Sequence, residues 1–172
     1  MITKPEINLR APEPDDLQLI YSLEEDPRMW IAGTSAAPVS KHLIRMYLDG
    51  YRADFTGDGE LRLVAVNDME KAVGLVDLFE YDKMNRRAGV GIAVLPAMQR
   101  QGYGRAMLMS LTRYARERFL LHSLWAQTAV DNTAAVRAFA EAGYQRMGVL
   151  QDWLFTADGY KDVIMWQLQL GK

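Results

Sequence analysis

The stretch from residue 90 to residue 109 holds the residues best suited to chemistry. An apolar, β-forming run is followed by a turn with two glycines, Gly102 and Gly104, and then by a helical pattern. Glycines allow the backbone to approach a ligand closely. The first turn of the following helix offers unpaired N–H groups and the positive end of its dipole, with Arg100 and Arg105 nearby. This arrangement predicts a site for an anion such as a pyrophosphate.

Two common phosphate-binding motifs are excluded by the residues that follow these glycines. A nucleotide-hydrolase P-loop needs Lys-Ser or Lys-Thr after its last glycine, and neither is present. A dinucleotide fingerprint needs a third glycine three residues after the second, where this chain has Met107. What remains is Gln-x-x-Gly-x-Gly from Gln99 to Gly104, after a strand that carries Leu95-Pro96. From these six residues alone, a plain turn that only starts a helix stays open.

This pattern resembles the hallmark of the GNAT superfamily of N-acetyltransferases, Arg/Gln-x-x-Gly-x-Gly/Ala. A second region of the chain, with Asn132, Ala135, Phe139 and Gly143-Tyr144, is similar to the family's Asn-x-x-Ala/Ser, aromatic and Gly-Phe/Tyr signature. The two regions occur in the family's order and separation, and the resemblance covers nearly the whole chain. It implies an acetyl-CoA-dependent N-acetyltransferase, which is an acyltransferase.

The resemblance also implies where the cofactor binds. In the family, the glycine loop binds the pyrophosphate of acetyl-CoA, and the backbone of the preceding strand holds the pantetheine arm. The asparagine contacts that arm beside two splayed strands, which would here end at Leu95 and Val130. The implied cofactor-binding residues are Ile92, Ala93, Val94, Gln99, Arg100, Gln101, Gly102, Tyr103, Gly104, Arg105, Asn132 and Phe139.

Within the superfamily the chain looks most like spermidine N-acetyltransferases, with ribosomal-protein N-terminal acetyltransferases close behind. Three segments carry this likeness: Leu9-Arg10-Ala11-Pro12, residues 74 to 80, and Asn85-Arg86-Arg87-Ala88. They favour a polyamine acceptor similar to spermidine. Two alternatives remain, a protein α-amine such as that of a ribosomal protein, and a catalytically weakened CoA-binding sensor.

Direct acetyl transfer requires a neutral amine. An alkyl ammonium has a pKa of about 10.4, so roughly one molecule in a few thousand carries a free lone pair at pH 7. Backbone N–H groups near Ile92 to Val94 can stabilise the oxyanion of a direct attack. We predict Glu80 as the base, acting through water, because its position matches an acidic residue of the polyamine-acetylating group. Asp77 should face the opposite side of the sheet from Glu80 if the strand is regular. The alternative that Glu80 is only a solvated carboxylate on a strand stays open.

The chain departs from the family at Phe139. Many members have a tyrosine seven residues after the asparagine, where it protonates the departing CoA thiolate, and phenylalanine has no proton to give. Water or another tyrosine would then be the acid, with Tyr103, Tyr114 and Tyr144 as unranked candidates.

Acceptor recognition is expected at the end of the first helix. The paired acids that spermidine enzymes carry there are replaced by residues 33 to 37, Gly-Thr-Ser-Ala-Ala, which leaves Glu24-Glu25-Asp26 as the nearest carboxylates. An ordinary solvated helix end is the alternative. For a peptide acceptor, the loop from Trp30 to Val39 would grip the substrate. The predicted substrate-binding residues are Glu24, Glu25, Trp30 and Glu80.

Composition limits the class of protein. The 172 residues suit one domain, residues 1–172, with no cysteine and only two histidines, which lie far apart, so no metal site is predicted. A net charge of −2 and a pI of about 5.7 argue against nucleic-acid binding. No apolar run approaches the roughly 20 residues of a membrane span, and no signal-peptide core is present. We therefore expect a cytoplasmic protein without membrane partners, and a homo-oligomer stays open beside a monomer.

The periodicity of apolar residues predicts one α/β domain. Strands are predicted at residues 7–11, 61–66, 72–81, 86–95, 122–130, 144–150 and 162–170. Helices are predicted at residues 12–24, 40–53 and 104–118, and a short helix is predicted after Thr133 and through Glu141. The short connections between residues 61 and 95 indicate an antiparallel meander. With the resemblance, they imply the GNAT fold: a central mixed, mostly antiparallel sheet of about seven strands, splayed in the middle and flanked by about four helices.

Overall fold

The computed structural model describes residues 5–25, 38–156 and 158–171. These ranges contain seven strands and five α-helices. The strands are β1 (Asn8–Arg10), β2 (Leu61–Val66), β3 (Ala72–Asp82), β4 (Arg87–Val94), β5 (Ser123–Ala129), β6 (Gln145–Thr156) and β7 (Gly159–Gln169). The helices are α1 (Leu17–Glu24), α2 (Lys41–Gly50), α3 (Phe55–Asp58), α4 (Tyr103–Phe119) and α5 (Thr133–Glu141), with 3-10 turns at Pro14–Asp16 and Pro96–Met98.

The strands form one sheet in the order β1-β2-β3-β4-β5-β7-β6. All neighbouring strands are antiparallel except β4 and β5, which are parallel and are connected through α4. A parallel pair needs such a crossover, whereas short turns join the antiparallel pairs β2–β3, β3–β4 and β6–β7. The predicted α/β class and the mixed, mostly antiparallel seven-stranded sheet are confirmed.

The two faces of the sheet are covered differently. On the back face, α4 and α5 pack over β3, β4, β5 and β7, and Met107, Leu108 and Leu111 of α4 are buried in this larger core. On the front face, α1 and α2 cover β2 and β3 through a smaller cluster that includes Ile20 and Ile44. Among the described residues, no helix packs against the front of β5 and β7.

Local sequence signals account for the ends of several elements. Ser40 caps α2 by accepting from the Leu43 N–H, and Asp54 caps α3 by accepting from the Gly57 N–H. Gly143 follows α5 with a φ of 94°, the left-handed conformation that glycine adopts after a helix. The glycine stop predicted at this position matches the observed end of the helix.

Two elements differ from the sequence-based ranges. Residues 55–58 form a short helix, because Asp54 caps them and Phe55 is buried beside Tyr81 and Phe119. The prediction had treated Gly57-Asp58-Gly59 as a break. Strand β6 continues to Thr156, six residues beyond its predicted end, because a bulge between Leu150 and Leu154 absorbs its irregular pattern and pairing with β7 then resumes.

Candidate functional site

The sheet opens between β4 and β5. These two strands pair only at their beginnings, where Arg87 to Gly89 lie beside Ser123 to Trp125. Beyond this point, residues 90–94 of β4 do not pair with residues 126–129 of β5. We call the gap between these two segments the opening. The splayed pair of strands implied by the sequence resemblance is therefore present.

Peptide groups of both strands point into the opening. The Leu95 N–H donates to the Val73 carbonyl on β3, and alternate residues direct their peptide groups to opposite sides of a strand. The N–H groups of Ile92 and Val94 therefore point towards β5. The Val130 N–H donates to the Asp162 carbonyl on β7, so the peptide groups of Gln127 and Ala129 point back towards β4. An extended, amide-containing ligand could pair with these groups.

The glycine loop lies at the end of β4 and leads into α4. Gly102 is the N-cap of α4 with a φ of 85°, and Arg100 also has a positive φ, of 61°. Such a backbone suits glycine at residue 102, because other side chains are strained at positive φ. A Cβ at Gly104 would make ordinary contacts, 3.6 Å from Ala138 and 3.7 Å from Ile92. The loop therefore presents the free N–H groups of the first helical turn beside the opening.

Side chains of the loop hold its own backbone in place. Gln99 donates from Nε2 to the Val94 carbonyl at 3.2 Å, and Gln101 donates to the Ala97 carbonyl at 3.0 Å. Arg105 donates from Nε to the Glu141 carbonyl at the end of α5, at 3.1 Å. The predicted loop residues are thus brought together with Ile92, Ala93 and Val94 of β4 at one end of the opening.

The second signature region lies on α5, beside the same opening. Asn132 is the N-cap of α5, and its Oδ1 accepts from the Ala135 N–H at 3.1 Å. Phe139 is only 3% exposed, and its ring packs against Tyr144 and Trp166 in the back-face core. The side-chain oxygen of Asn132 is therefore used for capping, and the ring of Phe139 is part of the core that supports the helix.

A charged cluster lies on the front face beside the opening. Asp77 pairs across the strands with Gly91, two residues past the last β4–β5 pair. Its two carboxylate oxygens accept from Arg62 at 2.8 and 3.1 Å, and Arg62 also lies 3.8 Å from Glu24 of α1. Burial acts to lower the pKa of Arg62, but the charge and hydrogen bonds of Asp77 outweigh it and raise the pKa. The cluster thus contains two carboxylates and one permanent cation.

Glu80 lies apart from these residues. It occupies a bulge of β3 with a φ of 50°, between the Phe79–Gly89 and Asp82–Arg87 pairs. Glu80 therefore lies beside residue 88 of β4, four residues before Ile92. At about 3.3 Å per residue, the distance along the strand from Glu80 to Ile92 is roughly 13 Å. Because the strand is irregular here, the expected alternation between residues 77 and 80 does not apply.

The exposed Glu80 side chain lines a separate groove of about 470 Å³, together with Asp82, Arg87, Ser123, Trp125 and Gln167. The rings of Phe79 and Trp125 meet edge to face at 5.3 Å between this groove and the opening. The structure therefore does not bring Glu80 together with the predicted cofactor-binding residues.

The other predicted residues are spread over the molecule. Glu25 is exposed at the end of α1 and accepts a hydrogen bond from the Tyr21 hydroxyl, and Trp30 lies outside the described residues. Of the candidate tyrosines, Tyr103 lies with its hydroxyl 3.5 Å from Asn67 Nδ2, and Tyr114 packs on Phe119.

Tyr144 is buried in the back-face core. Burial raises the pKa of its hydroxyl far above the usual value, although the nearby Thr112 hydroxyl acts to lower it. Neither of these two hydroxyl groups has a hydrogen-bond partner of good geometry. A phenol with so high a pKa donates a proton poorly at neutral pH, so the structure does not favour Tyr144 as the acid.

Sequence reasoning missed the pairing of Arg62 with Asp77. Both residues lie in predicted strands, and their opposite charges at facing positions of a hairpin were a usable signal.

Within the described ranges, no group of three or more His, Cys, Asp or Glu side chains is arranged to hold a metal ion. No helix in the described part of the chain is long and apolar enough to cross a membrane.

Comparison with known proteins gives a match to one family model and to several characterised relatives. The model of the acetyltransferase (GNAT) domain matches residues 6–145. The spermidine N(1)-acetyltransferase of Vibrio cholerae is 26% identical over 158 residues, which cover 92% of this chain and 90% of that protein. The ribosomal protein bS18-alanine N-acetyltransferase of Escherichia coli is 33% identical over 79 residues, 46% of this chain and 53% of that protein.

Solved structures show the same architecture. The crystal structure of spermidine N-acetyltransferase from Vibrio cholerae in complex with CoA and spermine superposes with a TM-score of 0.83 at 25% identity, covering 96% of both chains. A dodecameric structure of spermidine N-acetyltransferase from the same organism superposes with a TM-score of 0.77 at 25% identity, covering 96% of this chain and 94% of that one.

Proposed function

The chain belongs to the GNAT acetyltransferase family, and from that premise we propose that it acetylates a primary amine of a polyamine similar to spermidine. It is an acetyl-CoA-dependent N-acetyltransferase, as the sequence predicted. The observation that carries the proposal is the opening between β4 and β5, with the N–H groups of Ile92 and Val94 directed into it and the glycine loop at its end. The spermidine-acetylating relative, which aligns over 92% of the chain, supports the choice of acceptor.

We assign the cofactor-binding role to the residues around this opening. The N–H groups at the start of α4, with Gly102, Arg100 and Arg105, would hold the pyrophosphate. The peptide groups of Ile92 and Val94 would pair with the pantetheine amides. Acetyl-CoA supplies an acetyl thioester whose carbonyl carbon a neutral amine attacks, and the C–S bond then breaks to release CoA.

The chain's own groups would stabilise that attack. Fixed N–H donors next to a developing oxyanion are effective because they need no reorganisation during the reaction. The N–H groups of Ile92 and Val94 are held in place by the β3–β4 ladder on the other side of the strand. The Ile92 N–H, which lies farther from the glycine loop, is therefore suited to bind the acetyl oxygen, while the Ile92 carbonyl and the Val94 N–H are left for the pantetheine arm. This arrangement needs no covalent intermediate on the enzyme.

The attacking amine must lose a proton, and we propose Glu80 as the acceptor. Its distance from Ile92 along the sheet, roughly 13 Å, requires that the proton travel through ordered water. Asp77 lies closer to the opening, but both of its carboxylate oxygens already accept hydrogen bonds from Arg62. Its role would be to attract the ammonium group, together with Glu24.

The leaving thiolate would take its proton from water. Phe139 has no proton to give, and the ring of Tyr144 is turned into the core. A thiol with a pKa near 8.5 is a tolerable leaving group without a dedicated acid, whereas a general acid typically adds about 10²- to 10⁴-fold to the rate. We therefore expect a modest turnover number.

The substrate class is tested by measuring CoA release with a panel of amines. Spermidine, aminoglycosides and peptides with a free N-terminus are incubated with the protein and acetyl-CoA. Polyamine acetylation predicts the largest kcat/KM for spermidine. Preferential acetylation of a peptide would instead favour an α-amine acceptor, the alternative supported by the ribosomal-protein relative. Tight acetyl-CoA binding without turnover of any amine would favour a sensor.

We also propose that the chain forms a homo-oligomer. Strand β6 is an edge strand, and at the end of its hairpin Phe155 and Tyr160 are 71% and 63% exposed, with their rings in contact. Exposed apolar side chains at a sheet edge favour pairing with another chain. A related enzyme forms a dodecamer. Sedimentation of the wild type and of a Phe155→Ser variant tests this: a single monomeric species in the wild type contradicts the proposal.

A further inference from the structure

Strand β6 carries a bulge that redirects Trp153. Leu150 pairs with Val163 and Leu154 with Lys161, so three residues of β6 oppose a single residue of β7. Asp152, in the middle of the bulge, has a φ of 48°, and its N–H donates to the Asp162 side chain at 2.9 Å. The backbone is thus fixed in a conformation that turns the next side chain out of the regular alternation.

The indole of Trp153 reaches across β7 to β5. Its Nε1 donates to Gln127 Oε1 at 3.2 Å, although β7 lies between the two strands. Gln127 belongs to the front face, since its neighbours Ala126 and Thr128 are buried on the back. The Trp153 side chain remains 56% exposed while its N–H is engaged. The hydrogen bond therefore fixes the position of an indole ring that is still largely exposed.

The position of Gln127 places this indole at the opening. Gln127 is two residues past Trp125, which takes part in the last β4–β5 pair, and Gly91 is two residues past Gly89 on the other strand. Asp77 pairs with Gly91 on the same front face. Trp153 and Asp77 are therefore on opposite sides of the opening at the same level. In the described part of the chain, no helix covers the front of β5 between them.

The two sides are complementary to an amine. Carboxylates on the β3 side attract an ammonium group, and the face of an indole attracts a cation and packs against its alkyl chain. Because α4, α5 and the glycine loop occupy the back, an acceptor reaches the opening from the front. It then passes between the carboxylates and the indole.

We propose that Trp153, positioned by Gln127, contacts the acceptor amine and determines acceptor specificity. The ligand class is an alkyl amine with a second cationic group, one cation lying near Asp77 and Glu24 and the chain packing on the indole. This proposal rests on the proposed function, because it assumes that an amine is the acceptor.

The test compares kcat and KM for spermidine and for acetyl-CoA in the wild type and in variants. Trp153→Ala should raise the KM for spermidine about 5- to 30-fold, the range of a cation–π contact, and leave the KM for acetyl-CoA and the Tm unchanged. Trp153→Phe retains a ring and should give a smaller rise. Gln127→Ala should also raise the KM for spermidine, because the anchor of the indole is lost. Met147→Ala is the control, since Met147 lies on the same strand and is 59% exposed.

An unchanged KM for spermidine in Trp153→Ala would overturn the proposal, and so would an equal rise in the KM for acetyl-CoA. The wild type in the same assay separates this proposal from the proposed function. If the wild type acetylates a peptide α-amine and no polyamine, the proposed substrate and the ligand class assigned to Trp153 are both overturned. If the wild type acetylates no amine, both proposals are overturned.

Discussion

The ring of Phe79 occupies the space where a side chain of Gly89 would lie: a Cβ at Gly89 would be 2.4 Å from the Phe79 ring. Gly89 takes part in the last pair before β4 and β5 separate, and its partner Trp125 packs edge to face on the same ring. Because Gly89 has no side chain, the rings of Phe79 and Trp125 can pack together at the point where β4 and β5 separate.

Substitution of Gly89 tests this packing. Gly89→Ala should lower the free energy of unfolding by about 1–3 kcal/mol, because Phe79 must move out of a well-packed position. Gly91→Ala is the matched control, since a Cβ there would make ordinary contacts at 3.7 Å with Asp77 and Phe79. Denaturant unfolding of both variants gives the comparison. Equal stability of the two variants would contradict the assigned packing.

The glycine loop gives a second prediction. Gly102→Ala should weaken acetyl-CoA binding at least about tenfold and cost about 1 kcal/mol of stability, because alanine is strained at a φ of 85° and the loop must shift. Gly148→Ala is the control, since Gly148 has open space around its Cβ position and no positive φ. Calorimetric titration with acetyl-CoA measures the effect. Full affinity in Gly102→Ala would argue against a fixed loop backbone at the binding site.

The sequence was informative where local signals decide the structure. The glycine at residue 143, the loop around Gly102 and the strands of the meander follow from backbone preferences and from alternation, and all lie at the predicted places. The α/β class and the strand–loop–helix unit could therefore be read from the chain.

The remaining features depend on contacts between distant residues. The bulge at Glu80 breaks the alternation of side chains along β3, and no local pattern reports such a bulge. The contact of Trp153 with Gln127 joins residues 26 positions apart in the chain, across an intervening strand. The burial of Phe139 depends on Trp166 from β7. Positions such as these were not determined by alternation or by turn residues.

The proposed base gives a kinetic prediction. Glu80→Gln should lower kcat/KM at neutral pH by at least about tenfold and recover towards the wild-type value at high pH, where the free amine is already neutral. Complete pH–rate profiles of the wild type, Glu80→Gln and Asp77→Asn provide the measurement. If the pH–rate profile of Glu80→Gln is the same as that of the wild type, Glu80 is not the base. If the fall in rate at low pH disappears in Asp77→Asn and not in Glu80→Gln, Asp77 is the base instead.

A buried ion pair near the amino terminus gives a pH dependence of stability. Burial acts to raise the pKa of Asp16, but hydrogen bonds from Arg10 and from the Glu13 N–H outweigh it, so the pKa lies below its usual value of 3.8. A carboxyl with a lowered folded-state pKa stabilises the protein above the unfolded pKa, and this contribution is lost as the pH falls through the folded value.

The free energy of unfolding of Asp16→Asn should therefore be about 1–2 kcal/mol lower than that of the wild type at pH 7. The loss is no larger because solvent screens the exposed end of Arg10. The difference should shrink below about pH 4. Thermal unfolding between pH 3 and pH 7 measures it, with Asp15→Asn as the exposed neighbouring control. A difference that stays constant over this range would contradict the assigned ion pair.

A crystal structure of the protein with CoA tests the central claim, that the opening between β4 and β5 is the cofactor site. The pyrophosphate is expected within about 3 Å of the N–H groups that begin α4, and the pantetheine arm is expected to pair with the peptide groups of Ile92 and Val94. CoA bound at any other place, with these N–H groups left to solvent, would contradict it.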